Sequence, residues 1–298
     1  MDSMAAHLPA VRRGEAAYQA LRRQRRLTGL TGFAILAAAF LGAAWMSEFY
    51  PSSLAAGLPR IGEYFHRILP TLHWSTLFAG VETEGSLAFW FYRLDSWLLL
   101  LLQTAQMAAL ATLGGAVMAL LLAFPAARNL APSRWLHHLT RRGLEATRTV
   151  PEIVSALIFV WAFGVGPLAG ILAIGLHTAG ALGKLFSEVM ENAPMQAWDG
   201  LRASGANWMQ ACRYAILPQV APNLLSYALL RFEINLRSAT VIGFVGAGGI
   251  GQELYQVIAF NYYEEISAIV VLVILAVMLI DLLSEKLRHR LTHVAGAR

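Results

Sequence analysis

Long stretches without charged side chains alternate with charged segments along the chain. Residues 27–47 carry no charge, and two runs of 31 residues each, 97–127 and 153–183, carry none either. A membrane interior about 30 Å thick is crossed by about 20 consecutive apolar residues in a helix. Each stretch is therefore long enough to predict at least one membrane-spanning helix.

The third run contains a break at Gly164–Pro167, where two glycines and a proline favour a tight turn. We expect one helix on each side of this turn, at about 149–163 and 168–187. Two further segments, 218–245 and 266–284, are apolar apart from a few charges. The pattern predicts an all-α polytopic membrane protein with about six transmembrane helices.

Composition supports a membrane protein and excludes an ordinary soluble enzyme. Of the 298 residues, 57% are hydrophobic and 14% are charged, whereas soluble domains are about 45–50% apolar and about 25% charged. Cys212 is the single cysteine, which excludes an intrachain disulfide framework and a cysteine-based zinc site.

The formal net charge of +5 could indicate nucleic-acid binding, but the positions of the basic residues indicate membrane topology instead. Basic loops remain on the cytoplasmic side of a membrane, and 18 of the 23 basic residues lie in the two terminal tails and in two loops. By contrast, the segment 246–265 contains three glutamates and no basic residue. Both termini are therefore predicted to be cytoplasmic, and no nucleic-acid partner is needed. The 18 residues are Arg12, Arg13, Arg22, Arg23, Arg25, Arg26, Arg128, Arg134, Arg141, Arg142, Arg148, Lys184, Arg202, Arg213, Lys286, Arg288, Arg290 and Arg298.

These patterns divide the chain into segments. The 27–47 stretch is longer than the apolar part of a signal peptide, which favours a retained first helix over a cleaved leader. After it, Ile61, Phe65 and Ile68 have helical spacing typical of an amphipathic helix on the outer membrane face, and the aromatic residues 89–92 and Trp97 suit an interfacial belt. The predicted segments are a cytoplasmic tail (1–26), a first transmembrane helix (27–47), an outer segment (48–96), the main transmembrane domain (97–284, with a cytoplasmic loop at 188–218) and a second cytoplasmic tail (285–298).

The loop Asp199–Pro218 is long and patterned for a connection between two spans. Its scattered apolar residues predict two short surface helices separated by Gly205, since a helix often ends at a left-handed position that favours glycine. Pro218 suits the first turn of the next helix. The residues alone leave open whether this segment docks a soluble partner or is an ordinary surface loop.

The loop resembles the signature of ABC importer permeases. That signature is a Glu-Ala-Ala triplet, three residues, a glycine, nine residues, an apolar residue, any residue and Leu-Pro. The spacing is complete here, while the triplet departs from the family pattern. The resemblance implies that the loop is a coupling helix that docks on a separate ATPase. The coupling residues are Asp199, Gly200, Leu201, Gly205, Ala206, Leu217 and Pro218, with Ala215 at the apolar position.

A narrower resemblance, to the phosphonate permease of ABC importers, extends from about residue 97 to residue 290. It implies a type I permease fold, a homodimer in a bacterial inner membrane, two copies of a cytoplasmic ATPase, and a periplasmic or lipid-anchored substrate-binding protein. No phosphate-binding loop of the Walker type is present, so the ATP and magnesium would be bound by the partner and this chain would be non-catalytic. The blocks that carry the resemblance are Arg148–Phe159, Gly164–Gly170, His177–Glu188, Arg231–Thr240 and Gly243–Gly251.

Three charged residues lie within the predicted fifth span, where a lipid-facing charge costs at least about 2.5–3.5 kcal/mol. Glu233 and Arg237 have the spacing of a same-face ion pair, with the acid first. Arg231 has no charged partner one turn away, and a guanidinium suits an oxyanion. We therefore predict a substrate path, although a structural salt bridge remains open for Glu233 and Arg237. The path residues are Arg231, Asn235, Ser238, Glu233, Arg237 and, as a weaker candidate, His177.

The glycines at Gly246, Gly248, Gly249 and Gly251 include a Gly-x-Gly-x-x-Gly pattern. A dinucleotide site would require a soluble strand–turn–helix unit around it, so we interpret the glycines as a gate or as close helix packing. His289 and His293 have metal-like spacing within a short basic tail, which we interpret as solvated. No metal site and no catalytic residue is predicted.

Three alternatives to phosphonate import remain open. An ABC permease for another solute, such as phosphite, phosphate or methionine, would have the same loop. A secondary transporter would not need a coupling loop. A membrane-embedded enzyme acting on lipid phosphates would use Arg231, Glu233 and His177 as catalytic residues.

Overall fold

The computed structural model describes residues 2–296, with side chains from 18 to 288, and all regular secondary structure among them is helical. The predictions that concern Arg12, Arg13, His289, His293, Arg290 and Arg298 lie outside the described side chains. The helices are α1 (Asp2–Met46), α2 (Pro51–Ile68), α3 (Leu87–Trp90), α4 (Leu94–Ala126), α5 (Arg134–Thr149), α6 (Glu152–Phe163), α7 (Pro167–Glu191), α8 (Gln196–Ala203), α9 (Trp208–Ala211), α10 (Leu217–Ile242), α11 (Gly249–Ala259) and α12 (Tyr263–Gly296), with a π-helix at Cys212–Ile216 and a 3-10 turn at Gly243–Val245.

The all-α prediction is confirmed for the described residues, but the number of apolar spans is four to five rather than six. Four helices are long and apolar enough to cross a membrane, and α5 with α6, bent by 87°, makes a fifth if the pair is one span. The predicted 149–163 helix is the 12-residue α6, which at 1.5 Å per residue is only about 18 Å long. Helix α10 is long enough, with 26 residues, but its three charged side chains make it less apolar than the four helices that qualify. The four spans are Tyr18–Met46, Leu94–Ala126, Pro167–Glu191 and Tyr263–Arg288.

The contacts divide the chain into two units, residues 1–66 and 67–298. In the first unit, the apolar side chains of α1, such as Phe33, Leu36 and Phe40, are exposed in the single chain, as expected for a helix surrounded by lipid. Helix α2 contains the amphipathic segment predicted from the sequence.

The core of the second unit is built around the packing of α4 on α7. Small residues make this contact, including Ala111 on α4 and Ala173 on α7, both fully or almost fully buried. A side-chain carbon at Gly115 would lie 2.8 Å from the carbonyl oxygen of Gly175 and from the side chain of Thr178. The neighbouring Gly114 faces open space. The two helices thus approach closely along one stripe of small residues, as is common in membranes.

The predicted turn between the two halves of the third apolar run is confirmed. Helix α6 ends at Phe163, and α7 begins at Pro167. Between them Gly164 and Gly166 have φ of +88° and +148°, values that L side chains rarely adopt. The N–H of Gly166 donates to the carbonyl of Gly246 at 2.9 Å, which ties this turn to the segment after α10.

Two members of the predicted aromatic belt pack inside the unit rather than facing lipid. Trp97 is fully buried, and the indole N–H of Trp90 donates to the carbonyl of Glu264 at 3.2 Å and to the hydroxyl of Ser267 at 3.0 Å. Tyr92 donates to the carboxylate of Glu265 at 2.8 Å. These residues fasten the start of α4 to the start of α12.

Candidate functional site

The segment after α8 has the glycine-terminated form predicted for it. The N–H of Ala206 donates to the carbonyl of Leu201 at 3.0 Å, and the N–H of Gly205 donates to the carbonyl of Arg202 at 3.1 Å. This pair of bonds is a Schellman motif, which requires a left-handed residue at its centre. Gly205 has φ of +87°, so its conformation explains the glycine.

The second predicted surface helix is the beginning of α10 rather than a separate element. Asn207 and Gln210 form a capping box that starts α9, and the helix then passes through the π-turn Cys212–Ile216 into α10 without a break. Pro218 lies in the first turn of α10 as predicted. Because Pro218 has no N–H and its ring crowds the preceding turn, the wider π-turn fits there. The side-chain amide of Gln219 donates from Nε2 to the Ala215 carbonyl at 2.6 Å.

One side of this loop is anchored and the other is exposed. The indole N–H of Trp208 donates to the carbonyl of Leu130 at 2.7 Å, and its ring packs edge-on against Phe124. On the free side, Met209 is 70% exposed and Tyr214 is 65% exposed. Asp199 is also exposed. An anchored segment that presents apolar side chains to solvent is suited to contact with a partner.

Cys212 lies inside the π-turn and is buried. This burial raises the pKa of the thiol to about 11. The side chain therefore behaves as a small apolar group in the packing of the loop.

Within the membrane region, Arg231 of α10 is paired with a carboxylate that sequence reasoning did not select. Its Nη2 donates to Oε1 of Glu152 on α6 at 2.7 Å. Its Nε donates to the hydroxyl of Thr178 on α7 at 3.4 Å. Glu152 is 79 residues away in sequence, and its only signal was an acidic residue at the start of an otherwise apolar run.

His177 belongs to the same group. Its Nε2 lies 3.6 Å from Oε1 of Glu152, and its Nδ1 lies 3.4 Å from the carbonyl oxygen of Val150. The side chains of Arg231, Glu152 and His177 are 13%, 17% and 20% exposed. The structure thus brings the predicted Arg231 and His177 together around Glu152, and solvent reaches the three side chains only partly.

Asn235 is fully buried and is hydrogen-bonded to Thr178 of this group. Its amide nitrogen donates to the hydroxyl of Thr112 at 2.8 Å and to that of Thr178 at 2.9 Å. Thr178 in turn is the residue that receives the Arg231 bond. Asn235 therefore holds Arg231 indirectly, while Ser238 is half-buried one turn further along α10.

The same-face pair predicted between Glu233 and Arg237 is wrong. Glu233 accepts from Arg288 at 3.4 Å, and Arg237 donates to Asp281 at 2.9 Å. Both partners are on α12, so tertiary packing overrides the helical spacing. These charges fasten α10 to α12.

The glycine segment after α10 packs closely and turns sharply. Gly246, Gly248 and Gly249 have φ of +87°, +85° and +71°. A side-chain carbon at Gly251 would overlap the carbonyl of Thr240, so only glycine lets α11 lie so near α10. The N–H of Ile250 is held by the Thr104 hydroxyl of α4 at 2.9 Å. Left-handed backbone conformations therefore account for Gly246, Gly248 and Gly249, and close packing accounts for Gly251. Among the described residues, no group of three or more His, Cys, Asp and Glu side chains is arranged to hold a metal ion.

Residues 112–292 match the family described as the binding-protein-dependent transport system inner membrane component. The chain belongs to this family. The matched range contains both the loop after α8 and the group around Arg231, so both are parts of a transport permease.

The permease is similar to one relative of about the same length and to another that is much longer. It is 36% identical over 277 residues to the phosphite transport system permease protein PtxC of Stutzerimonas stutzeri, covering 91% of this chain and 96% of that one. It is 31% identical over 246 residues to the phosphate-import permease protein PhnE of Mycolicibacterium smegmatis, covering 83% of this chain and 43% of that one.

The fold also matches solved membrane subunits of ABC importers. A structure of the MetNI methionine ABC transporter in inward-facing conformations aligns with a TM-score of 0.56 and 20% sequence identity, covering 65% of this chain and 95% of that one. This likeness establishes the type I importer permease fold for the permease.

Proposed function

We propose that the chain is the membrane subunit of an ATP-driven importer for phosphonates and related phosphorus oxyanions. The observation that carries this proposal is its similarity along nearly the whole chain to a phosphite permease. The buried guanidinium of Arg231 adds a chemical reason, because paired N–H donors suit tetrahedral oxyanions. Phosphite and phosphate, named for the relatives, and organic phosphonates share that headgroup chemistry.

The loop after α8 is proposed as the docking surface for the ATPase that would bind ATP and magnesium. Its exposed Met209 and Tyr214 support a protein contact, and the chain itself would be non-catalytic. The helical segment from Trp208 to Ile242 is continuous, so Arg231 lies about 35 Å along its path at 1.5 Å per residue. A shift of the loop against the ATPase would therefore move Arg231. ATP-driven switching requires that the loop interact differently with the two states of the ATPase.

The remaining partners follow from the same proposal. Two copies of the chain would form the pathway in a bacterial inner membrane, with both termini cytoplasmic. A periplasmic or lipid-anchored binding protein would deliver the anion to the acidic outer segment that contains Glu253, Glu264 and Glu265, and the glycines at 246–251 would act as the outer gate. No nucleic acid and no cofactor in this chain would take part.

The substrate class is tested by uptake into proteoliposomes that contain the chain, its ATPase and its binding protein. We expect saturable uptake of methylphosphonate, phosphite or phosphate, and no uptake of methionine. Uptake of methionine without any of the three phosphorus oxyanions would contradict the proposed substrate class while leaving the permease assignment intact.

A further inference from the structure

The carboxylate of Glu152 occupies the place on Arg231 that a transported anion would take. Its Oε1 lies 2.7 Å from Nη2 of Arg231, which is the distance of a strong charge-assisted hydrogen bond. A phosphonate oxygen bound to the same guanidinium would make the same kind of contact. Anion and carboxylate therefore compete for one donor.

The Arg231 side chain has a second hydrogen-bond partner besides Glu152. Its Nε is held by Thr178, and Thr178 is held by the buried amide of Asn235. Both are neutral groups whose bonds do not depend on a charge. If the carboxylate moves away, Arg231 retains this second partner and its charge.

Glu152 also lies near a second nitrogen and next to a sharp bend between two helices. His177 Nε2 lies 3.6 Å from the same Oε1, so a small rotation brings the carboxylate to this nitrogen, which donates to it when it carries a proton. Glu152 is in the first turn of α6, immediately after the 87° bend between α5 and α6. Release of this carboxylate would loosen the start of α6 from α10.

We propose that Glu152 is a built-in counter-anion of Arg231, which the transported phosphorus oxyanion displaces towards His177. This inference rests on the proposed function, since it requires an anion at Arg231. The counter-anion neutralises Arg231 when no substrate is present. An incoming anion must therefore carry enough negative charge to displace the carboxylate. A doubly charged phosphonate competes with a carboxylate better than a singly charged ion of the same size does.

The test measures anion affinity of the permease itself, with the binding protein omitted because that protein would otherwise set the affinity. The full chain with its ATPase is placed in lipid nanodiscs, and binding of radiolabelled methylphosphonate is measured by equilibrium dialysis. Glu152→Gln removes the charge at constant shape and is expected to lower the Kd about tenfold. Glu152→Asp keeps the charge but shortens the side chain by one methylene, which moves the carboxylate away from Arg231. We expect this variant to lower the Kd about threefold.

The matched control is Glu145→Gln on α5. Glu145 also forms an arginine pair, with Arg142 at 2.6 Å, but it lies outside the group around Arg231, so its Kd is expected to equal that of the wild type. An unchanged or raised Kd in Glu152→Gln, or no binding by it at all, would overturn the inference. If Glu152→Gln does not fold, the Glu152→Asp value decides in the same way.

The proposed function is judged separately, by uptake with the binding protein present. Wild-type uptake of phosphorus oxyanions together with an unchanged Kd in Glu152→Gln overturns the counter-anion alone. A wild-type importer that carries none of these anions overturns both.

Discussion

Gly205 has a backbone conformation that other residues adopt only with strain. Its φ is +87°, and no atom lies within 4 Å of the position of an added side-chain carbon. The cost of a substitution there is therefore conformational and not a steric clash, at about 1–2 kcal/mol for an ordinary residue. Asparagine tolerates the left-handed region far better.

We predict that Gly205→Val lowers ATP-driven uptake about 5–30-fold, the change in loop population that this strain implies. Uptake per inserted protein measures it, with insertion checked by immunoblot. Gly205→Asn is the control and should retain most of the activity. Equal uptake by the valine variant and the wild type would remove the loop from the coupling step.

Arg231 is predicted to be needed for uptake beyond its part in stability. Arg231→Ala leaves Glu152 buried without its partner, at a cost of about 3–5 kcal/mol, so reduced expression alone would be ambiguous. The double variant Arg231→Ala/Glu152→Ala removes both charges and should restore thermal stability without restoring uptake, while basal ATP hydrolysis continues. Recovery of uptake in the double variant would show that Arg231 has only a structural role.

The thiol of Cys212 is predicted to be chemically silent. Its pKa of about 11 leaves very little of the reactive thiolate at pH 7.5, and burial blocks access. Native protein in detergent should not react with a maleimide dye, whereas Ser204→Cys, at an exposed position, should react within minutes. Rapid labelling of the native protein would contradict the packing of the π-turn.

At the scale of elements, two adjacent glycines of α4 make a matched pair. An alanine at Gly115 would push against the backbone of α7, at a cost of about 1–3 kcal/mol. An alanine at Gly114 meets open space and improves helix propensity. Gly115→Ala should therefore lower the melting temperature in detergent, and Gly114→Ala should leave it unchanged or raise it. The reverse order would contradict the close packing of α4 on α7.

Local features of these elements could be predicted from the sequence, and contacts between distant elements could not. The turn at Gly164–Pro167 and the glycine cap at Gly205 depend on φ values that a few residues determine. The partner of Arg231 is 79 residues away and that of Arg237 is 44 residues away, so each depends on how helices pack. Helical spacing predicted an ion pair within α10, and the structure forms pairs to α6 and α12 instead because helix packing brings opposite charges of other helices near these side chains.

In the whole molecule, one helix joins the exposed loop surface after α8 to the Arg231 group that we propose as the anion site. The loop after α8 and Arg231 both belong to the continuous helical segment from Trp208 to Ile242. Helices α4 and α7 supply Thr112 and Thr178, which hold this segment through Asn235. In the proposed mechanism this helix would transmit movement of the loop to Arg231, and a partner ATPase would supply the energy.

We propose that ATP hydrolysis in a partner protein drives anion movement through this chain, and reconstituted uptake tests this proposal. Methylphosphonate uptake is measured in proteoliposomes with and without ATP, with the ATPase and binding protein present or omitted. We predict uptake only when ATP and both partners are present. Uptake by the chain alone, driven by a proton or sodium gradient, would contradict it.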